Sequence, residues 1–190
     1  MIFRTTGHAG NGLWVTGFPW SPAYLVDGTV PLLFEAGFFC MGPVYERDVR
    51  RIVGSRAIPN LFLTHVHYDH CGAAAYMKGA FPGMKICASA RAREIMMRPN
   101  AVDLMKSLSR YVVPLVSAAE GVDETLLNRQ PFEPFEVDKV LSDGDEIEVG
   151  DDLHIRVIAT PGHTRDLISF YIVERKVLVA TESVGIMAQT

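Results

Sequence analysis

Short apolar runs separated by turn-forming residues dominate the first sixty positions. Residues 13–17 and 23–26 are two such runs, joined by Phe18-Pro19-Trp20-Ser21-Pro22, which reads as a hairpin connection. Residues 31–34 form a further buried-strand candidate, closed by Gly37. Residues 44–53 instead set apolar side chains at helical spacing among mixed charges, with Gly54 as the stop. The succession then repeats: a strand at 61–64, a helix of small residues at 73–78, a strand at 85–88 and a helix at 90–97 ended by Pro99. Residues 101–119 keep the helical period with a kink or break predicted at Pro114, and 125–136, carrying Pro131 and Pro134, reads as a loop.

The remainder is strand-rich. Asp143-Gly144-Asp145 signals a turn before a strand at 146–149. Leu153, Ile155 and Val157 alternate with His154 and Arg156, the period-two pattern of a strand with one buried face. Residues 167–173 and 177–180 flank Glu174-Arg175-Lys176 as a second hairpin. Strands interleaved with helices predict an α/β layered domain with helices packed outside sheets.

At 190 residues the chain is long enough to bury a substantial core as one domain, and 48% hydrophobic with 21% charged residues is ordinary globular composition. A net charge of −4 argues against a sequence-independent nucleic-acid binder. No apolar run is long enough to cross a bilayer, and the opening residues 1–8 show no secretory leader. The 3 cysteines, Cys40, Cys71 and Cys87, lack paired metal or redox spacing, so a reduced, cytoplasmic setting is expected.

Half of the histidines fall within Thr64-His65-Val66-His67-Tyr68-Asp69-His70-Cys71-Gly72, directly after an apolar strand. Positions i and i+2 of an extended segment face the same side, so His65 and His67 can converge on one ion. Asp69 and His70 sit where the chain passes from strand to helix and can turn toward a neighbouring point. Neutral imidazole and carboxylate suit zinc, iron or manganese, and no thiolate is available in the motif to favour a closed structural zinc site. Gly72-Ala73-Ala74-Ala75 carries almost no side-chain bulk and lets the next helix pack tightly beneath. A tetrahedral site on His65 and His67 lacks a third imidazole. His163 would supply it, because Thr160-Pro161-Gly162-His163-Thr164 forces a sharp turn at a strand end. His8 and His154 are read as solvent-facing.

Together the two motifs resemble those of the metallo-β-lactamase fold superfamily of metal-dependent hydrolases, over nearly the whole chain. The resemblance implies an αββα sandwich of two mixed sheets with outer helices and one or two divalent metal ions, zinc first. It assigns His65, His67 and His163 to one metal and Asp69 with His70 to a second. A bridging aspartate of the family corresponds to Glu182 in Val179-Ala180-Thr181-Glu182-Ser183, one methylene longer. The family's further downstream histidine and last elements have no counterpart before Thr190, so the resemblance implies a C-terminally truncated domain, or an edge covered by a second copy in a homodimer.

The implied chemistry is attack of metal-bound hydroxide on an ester, thioester or lactone, with Asp69 orienting the nucleophile and receiving a proton. The expected partner is a small-molecule substrate, with neither nucleic acid nor membrane. Met96, Met97, Met105, Leu108, Phe132 and Phe135 would roof an apolar acyl pocket or, in the preferred reading, pack the covering helices on the core. Trp14, Phe18 and Trp20 are read as core or hairpin packing, and Cys71 as packing. Three alternatives remain within or beside the family: a mononuclear iron dioxygenase of the persulfide type, a nuclease, and a non-catalytic metal-binding domain.

Overall fold

Strand alternation sorts apolar side chains onto two faces, and this is what divides the interior into two cores. The computed structural model describes residues 6–185, so the part of the leader reading that rests on residues 1–5 lies outside them. Among the described residues eleven strands form two sheets. The larger contains β1 (Gly7–Gly10), β2 (Leu13–Phe18), β3 (Ser21–Val26), β4 (Leu32–Phe34), β5 (Asn60–Phe62), β6 (Lys85–Ser89) and β7 (Lys139–Leu141), in chain order. Its first four strands pair antiparallel and β4 to β7 pair parallel. The smaller contains β8 (Glu146–Val149), β9 (Leu153–Ala159), β10 (Ile168–Ile172) and β11 (Val177–Val179), ordered β11-β10-β9-β8.

The expectation of two mixed sheets therefore holds for the first. The four strands of the second are all antiparallel, because turns and loops rather than crossover helices connect them.

Leu33, Leu61, Leu63 and Ile86 point away from the second sheet and form a core with the helices. Leu32, Phe34, Phe62 and Cys87 point the other way, between the sheets, where Val149, Leu153, Ile155, Val157, Ile168, Phe170 and Ile172 meet them. Phe34, Phe62 and Phe170 form an aromatic cluster across that interior, with ring centroids 5.3 to 5.5 Å apart.

Five helices belong to the larger sheet's side: α1 (Gly42–Val53), α2 (Tyr68–Cys71), α3 (Ala74–Ala80), α4 (Ala90–Met96) and α5 (Pro99–Ser117). In α1, Val44, Tyr45, Val49 and Val53 supply the buried stripe, and Gly54 ends the helix at φ 62° as expected. Among the described residues no helix covers the outer face of the smaller sheet, which carries His154, Arg156 and Leu178.

Several elements depart from the sequence reading. Pro99 opens α5 at a first-turn position where no N–H is required. Pro114 does not break α5, since it begins the last turn and the only carbonyl it orphans, that of Arg110, lies on an exposed face. Asp69 and His70 lie on the short helix α2. Strands β1 and β7 escaped recognition: one holds two glycines, and the other buries only Leu141. His8 and His154 are exposed as expected. Met96, Met105, Phe132 and Phe135 are core residues, whereas Met97 is 75% exposed. Trp20 is exposed at the hairpin turn, its ring 4.9 Å from that of buried Phe18.

Candidate metal centre

Strand β5 ends at Phe62, and the next residues leave the sheet at the carboxyl ends of its parallel strands, where crevices form in open α/β sheets. His65 is wholly buried, while His67, the residue immediately before α2, is exposed at the rim. The backbone is pinned on both sides: Ile168 N–H donates to Thr64 O at 2.9 Å, and Val66 N–H donates to the buried Asp166 carboxylate at 2.9 Å. Helix α2 is stitched to the segment after β4 by Ala36 N–H donating to His70 O at 2.7 Å. The approach is close enough that a Cβ on Gly72 would lie 2.4 Å from Tyr68 O and 2.5 Å from Phe39 N. The small-residue run is thus required for packing. Cys71 is buried in the same contact, and burial holds its thiol pKa well above normal.

All six sequence-predicted residues meet at this end of the sandwich. One ligand atom from each of His65, His67 and His163 lies within 4.8 Å of the other two. His163 Nε2 is 3.1 Å from His67 Nδ1, and the His65 and His163 ring centroids are 5.3 Å apart. His163 arrives from the β9–β10 loop, as its Pro-Gly turn suggested. Asp69 Oδ2 lies 3.9 Å from His70 Nε2. Glu182 comes from a 3-10 turn, Thr181–Val184, after β11; its Oε1 is 2.8 Å from His70 Nε2 and its Oε2 is 3.9 Å from His65 Nε2.

Sequence reasoning missed Glu35. Wholly buried at the end of β4, it accepts Thr64 N–H through Oε1 at 2.7 Å and meets His70 Nδ1 through Oε2 at 2.8 Å. A charged residue closing an apolar strand was the available signal. Glu35 itself has φ 63°, and Thr181, the residue before Glu182, has φ 43°, an outlier for a β-branched side chain. Asp166 was missed as well; as one acid in a polar loop it carried no sequence signal.

These contacts set the charges. Burial first, then the neighbouring imidazoles of His70 and His67, push the His65 pKa down to about 3, leaving a neutral ring. Burial also lowers that of His67. Burial works against charge on His70, but hydrogen bonds to Glu182 and Glu35 outweigh it and raise the pKa to about 10. Glu182 is desolvated, yet its bond to His70 brings its pKa down to about 2.

The donor set fits a divalent cation. His65 Nε2 and Glu182 Oε2 are buried without hydrogen-bond partners and face each other across 3.9 Å. Bonds of about 2.0–2.2 Å from imidazole and carboxylate to zinc would span such a gap. Neutral His65 and His67 offer lone pairs without first losing a proton. Glu35 holds the Nδ1–H of His70, so that loss of the Nε2 proton to an incoming cation would leave the tautomer whose lone pair faces the centre.

A two-sheet sandwich with histidines and carboxylates converging at one end is the architecture of a class of metal-dependent hydrolases. The model of the metallo-beta-lactamase superfamily matches residues 21–186, and the chain belongs to that superfamily. Among curated proteins it is similar to Glyoxylase B2 of Dictyostelium discoideum, 28% identical over 116 residues, which is 61% of this chain and 32% of that protein. Among solved structures it resembles a Cronobacter sakazakii metallo-beta-lactamase with an HARLDQ motif (TM-score 0.66, 22% identity, 92% of this chain and 62% of that one). It also resembles BJP-1, a subclass B3 metallo-beta-lactamase of Bradyrhizobium japonicum (TM-score 0.64, 19% identity, 90% of this chain and 56% of that one). The chain thus spans less than two thirds of these relatives, and the structural likeness speaks for the fold. No helix among the described residues is long and apolar enough to cross a membrane.

Proposed function

We propose that the chain is a metal-dependent hydrolase of a small-molecule ester, thioester or lactone, with thioesters and esters preferred. The observation that carries the reading is the convergence of His65, His67 and His163, from stretches almost a hundred residues apart, on one point. Held by these residues, a divalent ion, zinc before iron or manganese, would polarise the acyl carbonyl and lower the pKa of water to about 7.

The side chains divide the remaining work. Asp69, partly exposed at the rim and close to His70, orients the attacking water and takes its proton as the acyl carbon is attacked. The acyl–sulfur or acyl–oxygen bond then breaks, and the leaving group departs with a proton. Glu35 keeps the His70 ring in register, and Glu182 supplies a further carboxylate ligand. Buried Thr64, whose hydroxyl lies 3.1 Å from both His65 Nδ1 and Thr181 Oγ1, ties the first histidine to the turn carrying Glu182.

Elemental analysis of protein purified without added metal is expected to return about one or two transition-metal ions per chain. The His65→Ala, His67→Ala double variant should lose most of them, and unchanged content would reject the assignment. A thioester and lactone panel should be hydrolysed, with activity abolished by chelation and restored by metal. Activity indifferent to both treatments would eliminate the mechanism; oxygen consumption with a persulfide by an iron-loaded protein would replace it.

A further inference from the structure

A groove of about 320 Å³ opens beside the centre, with His67 in its wall. Its floor is apolar, built from Val66, Ile95, Leu104, Met105 and Leu108. Leu104 is 59% exposed, so this surface meets water. Ser89 fixes one side, capping α4 at Ala92 N–H and donating to Asp166 O at 2.8 Å. The groove is therefore framed by α4, α5 and the loop that carries His163.

Its rim is cationic. Arg91, Arg98 and Arg165 all contribute to it. Arg91 and Arg98 share one carboxylate, Glu94, at 2.6 and 3.8 Å. Among the described residues Arg165 forms no ion pair within 4.0 Å. The groove's acid, Asp166, is buried and already accepts Val66 N–H. Thr164 also lines the groove, and its Oγ1 is buried without a hydrogen-bond partner. An apolar trough, an unpaired guanidinium and an unsatisfied hydroxyl, all next to His67, complement one kind of molecule.

We infer that this groove is the substrate subsite, and that it takes an amphipathic acyl compound: an apolar chain along Leu104, Met105 and Leu108, with an anionic group at Arg165. The inference rests on the hydrolase reading for the acyl bond, but the groove's selectivity can be measured without turnover.

Calorimetry on the metal-loaded full chain with octane-1-sulfonate, ethanesulfonate and 1-octanol separates the two contributions. Octanesulfonate should bind best, each methylene tightening binding by up to about fourfold until the trough is filled. Octanol should bind about fivefold more weakly, the contribution of one exposed charge pair. Arg165→Ala, at an exposed position that leaves folding intact, should erase the preference for the sulfonate over the alcohol. Leu104→Glu, also exposed, should erase the chain-length dependence. Octanesulfonate binding unchanged in both variants, or equal binding of long and short sulfonates, overturns the inference. So does a dimer that Leu104→Glu dissociates, since a second copy would then be the occupant of this face. Hydrolysis of acyl thioesters gives the separate arm. Turnover without chain-length or charge preference sinks the groove and keeps the hydrolase; selective binding without hydrolysis of any thioester does the reverse.

Discussion

Replacing Glu35 by glutamine tests the centre at a residue whose two carboxylate oxygens are both hydrogen-bonded. The side chain is wholly buried, and each carboxylate oxygen has one partner, Thr64 N–H at 2.7 Å and His70 Nδ1 at 2.8 Å. In Glu35→Gln the amide oxygen can keep only one of them. If it stays with Thr64, the amide NH₂ faces His70 Nδ1–H, two donors in opposition. The ring must then give up its Nδ1 proton, leaving Nε2, the nitrogen that faces the centre, protonated, or rotate away. Loss of such a supporting carboxylate typically weakens metal binding about 10- to 100-fold, or about 1.4–2.7 kcal/mol. Competition against a chromophoric chelator measures that directly. A second readout needs no metal: the imidazole resonances of His70 should titrate well below the wild-type pKa of about 10, because one of its two carboxylate partners has become neutral. Wild-type metal affinity in Glu35→Gln, together with an unshifted His70, would refute the proposed role.

Three further outcomes follow from other parts of the molecule. Gly72→Ala places a methyl 2.4–2.6 Å from three backbone atoms that cannot yield singly, so a loss of about 2–3 kcal/mol is expected in urea denaturation. Tyr45→Phe removes a fully buried hydroxyl that donates to Ser21 O and accepts Phe38 N–H; about 1–3 kcal/mol should be lost, seen as a lower thermal midpoint without loss of secondary structure. Asp138 is partly desolvated, but Lys78 and the Ile86 N–H hold its pKa below normal. A depressed carboxyl stabilises the fold above its unfolded pKa, near 3.9, and ceases to do so as pH falls through the folded value. The gap in urea midpoint between wild type and Asp138→Asn should therefore be constant from pH 7 to 5 and narrow as pH falls below about 3.9.

The sequence made most elements legible because one side of each is buried. Leu153, Ile155 and Val157 announce a strand, and the spacing of Val44, Tyr45, Val49 and Val53 announces a helix; both match the structure. What stayed hidden had no such contrast. Strand β7 buries a single side chain, and Pro114 is harmless only because of where α5 ends. At the centre, clustered residue types exposed the histidines, and a turn before His163 exposed the last of them. Glu35 offered only a charge at the end of an apolar strand, and Asp166 no signal at all, for a different reason: their value lies in which distant N–H they accept, Thr64 for one and Val66 for the other, and that is fixed only when the chain is folded.

The centre draws His65, His67 and His70 from the mixed sheet's side and His163 and Glu182 from the antiparallel one. A cation gripped by both groups would act as a clasp across the sandwich, joining His67 to His163, 96 residues further along the chain. Its removal would untie one end of the seam between layers that the apolar interior otherwise holds, so the same side chains would serve both cohesion and chemistry.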